Sequence, residues 1–459
     1  MRSAYPPARP PACRPAARAL GLAPLALGLA LGLAAPPARA QLIERYLNPL
    51  VPGLGTEPEV TVASRLHPEY DYRGVRVGGL LLQPELVEQA GYDSNVTGTH
   101  PAQGSALVQT SAALRAADAG SATSFSAALT ADDFRYASLA QQSFTNWSAA
   151  AQATHSFGRD QASLGYSHLD LNQTPRDLDA PLLDHPLAYR IDQLSASYRA
   201  SFARTYLLPG LDLAYYSYDN GSAGGQAYPQ AYRDRVTIAP SLEAGYEAAP
   251  GRRVVVVLRD AVGRYQNQNQ LPGQPSRDFN DASLLAGLVY TIDGTIALRL
   301  LAGYEARTFS AAAYKTIQAP VVEAAASWTP SGLTTLTASA ARYIEDAASE
   351  GVVGLTETAL RLGVDHEYRR NIVLSASAAW LQDDYQGGGQ QALYEAVLGA
   401  SWLLNRNLRL GATYRFDSRQ SNAAVLSALN PLPSAGPQPL AYAGTYAEHR
   451  ILLQLRLGL

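Results

Sequence analysis

Hydrophobic and polar residues alternate without a break in "NLRLGATYRFD", Asn407 to Asp417. Leu408, Leu410, Ala412, Tyr414 and Phe416 take one set of positions, and Arg409, Gly411, Thr413, Arg415 and Asp417 the other. Successive side chains of a strand point to opposite faces of a sheet, so a period of two predicts a β-strand. An ordinary strand has about five or six residues, and this run is much longer. The pattern recurs. Val236, Ile238, Pro240, Leu242, Ala244 and Tyr246 stand against Arg235, Thr237, Ser241, Glu243 and Glu247. Ile296, Leu298, Leu300, Ala302 and Tyr304 stand against Arg299, Gly303, Glu305 and Arg307. Tyr394, Ala396, Leu398, Ala400 and Trp402 oppose Glu395, Gly399 and Ser401. The chain ends with Ile451, Leu453, Leu455, Leu457 and Leu459 opposite Gln454 and Arg456. Arg253 to Tyr265 has valine on both faces, and the pattern does not orient it.

Short connections alternate with long polar ones. Turn-forming clusters sit at Asp118-Ala119-Gly120, Gly158-Arg159-Asp160, Ala203-Arg204-Thr205 and Ala249-Pro250-Gly251. Others follow at Asp293-Gly294, Pro330-Ser331-Gly332, Arg369-Arg370-Asn371 and Asn405-Arg406-Asn407. The long segments include Asn95 to Ser105, Gln173 to Ala188, Asp219 to Asp234, Asn267 to Asp281 and Ser418 to near Tyr442. About nine long and about eight short connections imply about 18 strands, with short turns at one rim and long loops at the other. The fold class this predicts is all-β, a transmembrane antiparallel up-and-down β-barrel. A tilted strand needs about 9–11 residues to cross a hydrocarbon layer, and closure pairs every backbone group where there is no water. The turns recur every roughly 36 to 46 residues, which overlaps propeller spacing. A propeller blade would need four strands in that length, and only two long ones are written here.

The first forty residues stand apart. Arg2, Arg9, Arg14 and Arg18 precede an apolar run from Ala19 to Ala35, broken by Pro24, and Ala38-Arg39-Ala40 precedes Gln41. This is the layout of a secretory signal peptide. Pro24 and Pro36-Pro37 leave too short a span for a membrane helix of about 20 residues. The one cysteine, Cys13, lies inside this segment, so the rest of the chain must be stable without disulfides. Removing the segment's arginines (2, 9, 14, 18 and 39) takes five from 36 basic residues, against 39 acidic ones. With an acidic excess and no basic patch, no nucleic-acid partner is expected. Beyond residue 40 the longest apolar run is Val254 to Leu258, which excludes transmembrane helices. Tyrosine outnumbers phenylalanine 27 to 8, an excess suited to the aromatic belts of a membrane wall.

"RVGGLLLQPELVEQAGYDSNV", Arg76 to Val96, resembles the first strand of the outer-membrane β-barrel porin family often associated with exopolysaccharide gene clusters. Arg76, Gly78, Pro84, Tyr92, Asp93 and Asn95 carry the likeness. Tyr166 to Thr205 is similar to that family's proline-bearing loop and the strand after it. The resemblance runs over roughly Val75 to Leu459, although the chain ends on Leu459 rather than an aromatic residue. It implies a porin-like barrel, one that serves polysaccharide passage, and it brings no catalytic residues.

The candidate functional residues are the charges on the water-facing sides of the strands. They are Arg199, Arg235, Arg299, Arg361, Arg409 and Arg415, interspersed with Glu243, Glu247, Glu305, Glu323, Glu395 and Asp417. Such charges tune the selectivity of an open pore, or they pair simply to hold a wet wall together. Tyr92, Tyr246, Tyr304, Tyr368, Tyr414 and Trp380 are read as interface girdles near strand ends. In "YSHLD", Ser167 points away from His168 and Asp170 if the segment is a strand, so no local triad forms. Enzymatic activity, cofactors and a metal site are not expected. Asp177, Asp179, Asp184 and His185 form either a solvated loop or a divalent-ion bridge to lipopolysaccharide phosphates. Residues 41–74 are expected as a periplasmic extension (tail, plug or docking peptide) ahead of a barrel over 75–459. The expected location is the cell outer membrane, reached through the general secretory pathway. Expected partners are outer-membrane lipid and lipopolysaccharide, the barrel assembly machinery and periplasmic polysaccharide export components. The leading function is a passive channel for polar solutes, with exopolysaccharide export as its finer form. The alternative is a structural or surface-adhesion barrel plugged by residues 41–74 or by the loop from Ser418.

Overall fold

Alternation over this length makes every strand a two-faced ribbon, and such ribbons bury their backbone edges only by pairing all the way round. The structure, a computed structural model, describes residues 61–62, 65, 67–119, 122–267, 273–292, 294–348, 352–422 and 444–459. The expected signal peptide, most of residues 41–74 and most of the loop after Ser418 lie outside the described residues.

A short strand β1 (Val75–Val77) leads into β2 (Leu80–Asp93), β3 (Ser105–Ala119), β4 (Thr123–Tyr136) and β5 (Phe144–Phe157). Then come β6 (Asp160–Gln173), β7 (Leu187–Ser201) and β8 (Thr205–Tyr218). A small hairpin, β9 (Gly221–Ala223) and β10 (Gln226–Tyr228), sits inside the next loop. The wall resumes with β11 (Arg235–Ala249), β12 (Arg252–Tyr265), β13 (Phe279–Ile292), β14 (Ile296–Phe309) and β15 (Ile317–Ser331). It finishes with β16 (Thr334–Glu345), β17 (Leu355–Arg369), β18 (Ile372–Tyr385), β19 (Gln390–Leu403), β20 (Leu408–Ser421) and β21 (Tyr446–Gly458). Leaving out β1, β9 and β10, the described residues form an 18-strand antiparallel barrel of strands 12 to 15 residues long. The seam is β2 against β21, from Glu85↔Gly458 to Asp93↔Arg450. The Gly74 amide donates to the Leu459 carbonyl at 2.9 Å and ties the segment before β1 to the residue after β21 at that seam. The short connections gather at one rim. Gly158 and Gly251 turn there with φ +70°, which a side chain would oppose.

One face of each strand is apolar and outward. Leu453 and Leu362 are 66 % and 63 % exposed, as a lipid-facing side must be. Glu88 is an exception on that face, its carboxylate held by the Thr110 hydroxyl at 3.0 Å. Val254, Val256 and Leu258 face outward too, whereas Val255 and Val257 turn inward and pack with Leu285, Val289, Leu301 and Val321. That inner apolar patch is why the sequence of β12 reads as valine on both sides. Tyr92, Tyr246 and Tyr368 lie close to strand ends, but Tyr304, Trp380 and Tyr414 do not. Those three sit 5, 5 and 7 residues short of the last residue of their strands, because the wall continues past the lipid belt on the long-loop side.

Candidate channel lumen

The inward face of β20 carries Arg409, Arg415, Asp417 and Arg419, alternating with the outward Leu410, Tyr414 and Phe416. The same alternation sets the other inward charges. Arg415 bonds both Glu395, from the neighbouring β19, and Asp417, the latter at 2.7 Å. Arg299 reaches across to Glu243 at 2.8 Å, and the Tyr206 hydroxyl donates to the same carboxylate. Arg235 lies 3.9 Å over the Tyr216 ring and pairs with Asp346 at 3.0 Å. Arg199 stacks 3.8 Å over Tyr206. Glu305 accepts the Ile344 amide at 3.3 Å, and Arg361 is half-buried on the inner face of β17. Arg409 donates to the Tyr70 carbonyl at 3.1 Å. Eleven of the twelve sequence candidates therefore line the inner wall, Glu323 through its pairing with Arg259, while Glu247 is exposed near the short-turn end of β11. Arg415–Glu395–Asp417 and Arg299–Glu243 meet one another, and Arg199, Arg235, Glu305 and Arg409 also bind residues the sequence did not single out.

Three further networks are substantial. Arg450 bonds Glu448 at 2.6 Å and Asp93 at 3.1 Å, and Arg176 bonds the same two acids at 2.9 and 2.8 Å. Arg307 bonds Asp281 at 2.7 Å and Asp346 at 2.9 Å. Arg259 pairs with Glu323 through a second bond at 3.0 Å. Charges buried in a low-dielectric wall persist because each is paired and hydrogen-bonded. Between β8 and β16 the wall opens into a recess of about 350 Å³, lined by Asp212, Glu243, Asp281, Glu305 and Glu323 against Arg259 and Arg307.

The loop of residues 174–186 leaves β6 and β7 and reaches the far wall, since β17, β18 and β19 lie across the barrel in the strand order. Leu178 is buried there against Ala359, Leu381 and Leu393. The Asp179 amide donates to Gln391 Oε1 at 2.7 Å, and its carboxylate takes the Ala348 amide. Arg419 donates to the carbonyls of Pro175 at 2.7 Å and Asp177 at 3.2 Å. The segment is thus folded into the bore. Asp177 accepts the Thr174 amide and Asp184 accepts the Ser222 hydroxyl, so these loop acids are engaged within the chain. Asp184 is held below the ordinary aspartate range chiefly by the Gly225 amide, against a smaller desolvation effect, with help from Gly224, Ser222 and His185. Its bonds tether the β9–β10 hairpin.

At the other rim, the described residues between 61 and 74 contact the wall from β16 round to β21. The Val62 amide donates to Thr335 Oγ1 at 2.9 Å, Arg65 and His67 both reach Glu367, and Arg406 donates to the Pro68 carbonyl at 2.8 Å. Among the described residues no group of three or more His, Cys, Asp or Glu could hold a metal ion. Ser167 is buried inside the wall, while His168 lies outside, bonded to Asp192 at 2.8 Å and packed on Trp147.

Residues 67–429 match the family described as "Putative beta-barrel porin 2". The chain belongs to this family. This porin-family member is an outer-membrane β-barrel, with the outward apolar belt and inward charged wall described above. Its fold is similar to several solved structures. OccK1 (OpdK) of Pseudomonas aeruginosa is 11% identical, with 82% of this chain and 99% of that one covered and a TM-score of 0.42. The copper transporter OprC is 12% identical over 84% and 81%, with a TM-score of 0.46. The FrpB iron transporter of Neisseria meningitidis (F5-1 variant) is 9% identical over 84% and 83%, with a TM-score of 0.41. No curated protein matches the chain. The residues that sequence reasoning missed in this porin are chiefly Arg176, Asp93, Glu448 and Asp346. Arg176 and Asp346 sit in loops, where no periodicity marks a side chain as inward. Asp93 and Glu448 stand near strand ends, and strand alternation would have assigned both.

Proposed function

We propose that this porin-family barrel is a passive outer-membrane channel for polar solutes, with a bore narrowed by residues 174–186. The observation that carries the reading is the set of inward charges along β20 and β21, from Arg409 near the short-turn rim to Asp93 and Arg450 near the other. A wall of paired charges keeps a lumen wet and presents alternating signs to a passing solute. Export of an exopolysaccharide is the finer form, supported by the family resemblance of the first strand and the proline-bearing loop. Residues 1–40 serve in this reading as a cleaved export signal, checked by finding Gln41 as the first residue of the outer-membrane protein. Lipopolysaccharide and the barrel assembly machinery are the partners this location requires.

The test is conductance in planar bilayers. Stepwise current from the wild-type chain supports the channel. Silence from both the wild type and a variant lacking residues 176–184 would instead establish the second reading, a structural barrel. That reading is favoured by the burial of Leu178 against the far wall.

A further inference from the structure

Arg409 on β20 and Arg456 on β21 are direct cross-strand partners on the inward face. Like charges placed opposite each other repel, so this pair calls for a counter-charge. The chain supplies little. Glu85 Oε1 stands 3.8 Å from Arg456 Nε, and Asp71 Oδ1 stands 3.7 Å from Arg409 Nη2, both beyond hydrogen-bond reach. A third guanidinium borders the same space. Arg115 on β3 pairs across to Gln83, while Arg456 pairs to Val87, and Glu85 lies between them on β2. From the segment that precedes β1, Tyr72 lies beneath Arg409, its ring centroid 4.5 Å from the guanidinium carbon.

Four polar atoms in this cluster are buried and find no hydrogen-bond partner among the described residues: Arg115 Nη2, Arg409 Nε, Arg456 Nε and the Tyr72 hydroxyl. Buried donors in a native wall are ordinarily satisfied, and orphans that share one space point to a group that satisfies them together. Three guanidiniums, which only donate, and a phenol hydroxyl that can donate form a donor-rich set, and the planar fork of arginine suits carboxylate, phosphate or sulfate oxygens. We propose that Arg115, Arg409, Arg456 and Tyr72 bind an oxyanion group of a passing solute at the short-turn end of the lumen. The inference rests on the channel reading and gives it a solute class.

The full chain, folded in detergent, is titrated calorimetrically with sodium phosphate, sodium sulfate and sodium acetate, each against sodium chloride at equal ionic strength. Saturable binding of at least one oxyanion is expected. It should weaken about tenfold or more in Arg456→Gln and by a smaller factor in Tyr72→Phe. Response to phosphate and sulfate alone assigns tetrahedral anions, and response to acetate assigns carboxylates. Should Arg456→Gln lose the heat-modifiable mobility of a folded barrel, Arg115→Gln takes its place in the comparison. No saturable heat from any anion, or equal binding by wild type and arginine variant, overturns the site. A barrel that conducts in chloride but binds no oxyanion loses the site and keeps the channel, whereas binding without conductance does the reverse.

Discussion

Leu453 and Arg409 show how differently neighbouring positions on this wall answer to a change. Leu453 is outward and two-thirds exposed, so Leu453→Arg puts a charge in hydrocarbon and should cost about 2–4 kcal/mol. Urea titration in lipid vesicles reads this directly, with a matching loss of heat-modifiable gel mobility. Leu410 is a weaker site for the same test. Its alternation suggests a mid-membrane place, yet it is the third residue of β20 at the short-turn rim, where an arginine should cost only about 0–1 kcal/mol. Arg409→Glu should leave the barrel folded, since the new carboxylate faces Arg456 across the strands. Reversal potentials in a salt gradient should then shift toward cations. An unchanged potential through a conducting Arg409→Glu barrel would show that this residue does not border the path. Arg176→Gln removes the charge that holds Asp93 and Glu448 from the loop side, and breaking a buried pair costs about 3–5 kcal/mol. Part of that cost is spared because Arg450 still pairs with both acids. The expected readout is higher single-channel conductance as residues 174–186 come away from the wall.

The β9–β10 hairpin depends on Asp184, whose carboxylate takes the amides of Gly224 and Gly225 at 2.9 and 3.0 Å. These bonds hold its pKa below the usual aspartate value of about 3.9, so the tether is complete above that pH. It is lost only as the pH falls through the lower folded value. Amide exchange at Gly224 and Gly225 should therefore stay protected at pH 5 and rise below about pH 4. Asp184→Asn should raise it at every pH. Strands such as β11, β14 and β20 were legible in the sequence because a period of two over a dozen residues admits no other regular structure. The inward charges on them were legible for the same reason. The path of residues 174–186 was not, since loop side chains carry no periodic signal and Leu178 finds its neighbours on strands about two hundred residues later. The inner apolar patch around Val255 also escaped, because a water-filled lumen gives no reason to expect valine inside.

Over the whole molecule, short turns at one rim and mostly longer connections at the other give the barrel its polarity, the four residues 386–389 between β18 and β19 being an exception. A small tag inserted at Gly224-Gly225 should be labelled on intact cells, and one at Arg159 only after the outer membrane is opened. Reversed labelling would invert the barrel. The seating of residues 174–186 has a consequence for how such a cylinder is made. Arg419 and Tyr446, which hold Pro175 and Arg176, stand 244 and 270 residues further along the chain. Contacts so distant in sequence form late, because the entropy of closing the intervening chain must be met first. Until β19, β20 and β21 have joined, the segment after β6 has no far wall on which to rest. Pairing of β21 with β2 also sets Glu448 and Arg450 beside Asp93, where Arg176 joins them, so the seal of the seam and the stopper of the mouth share the same charges.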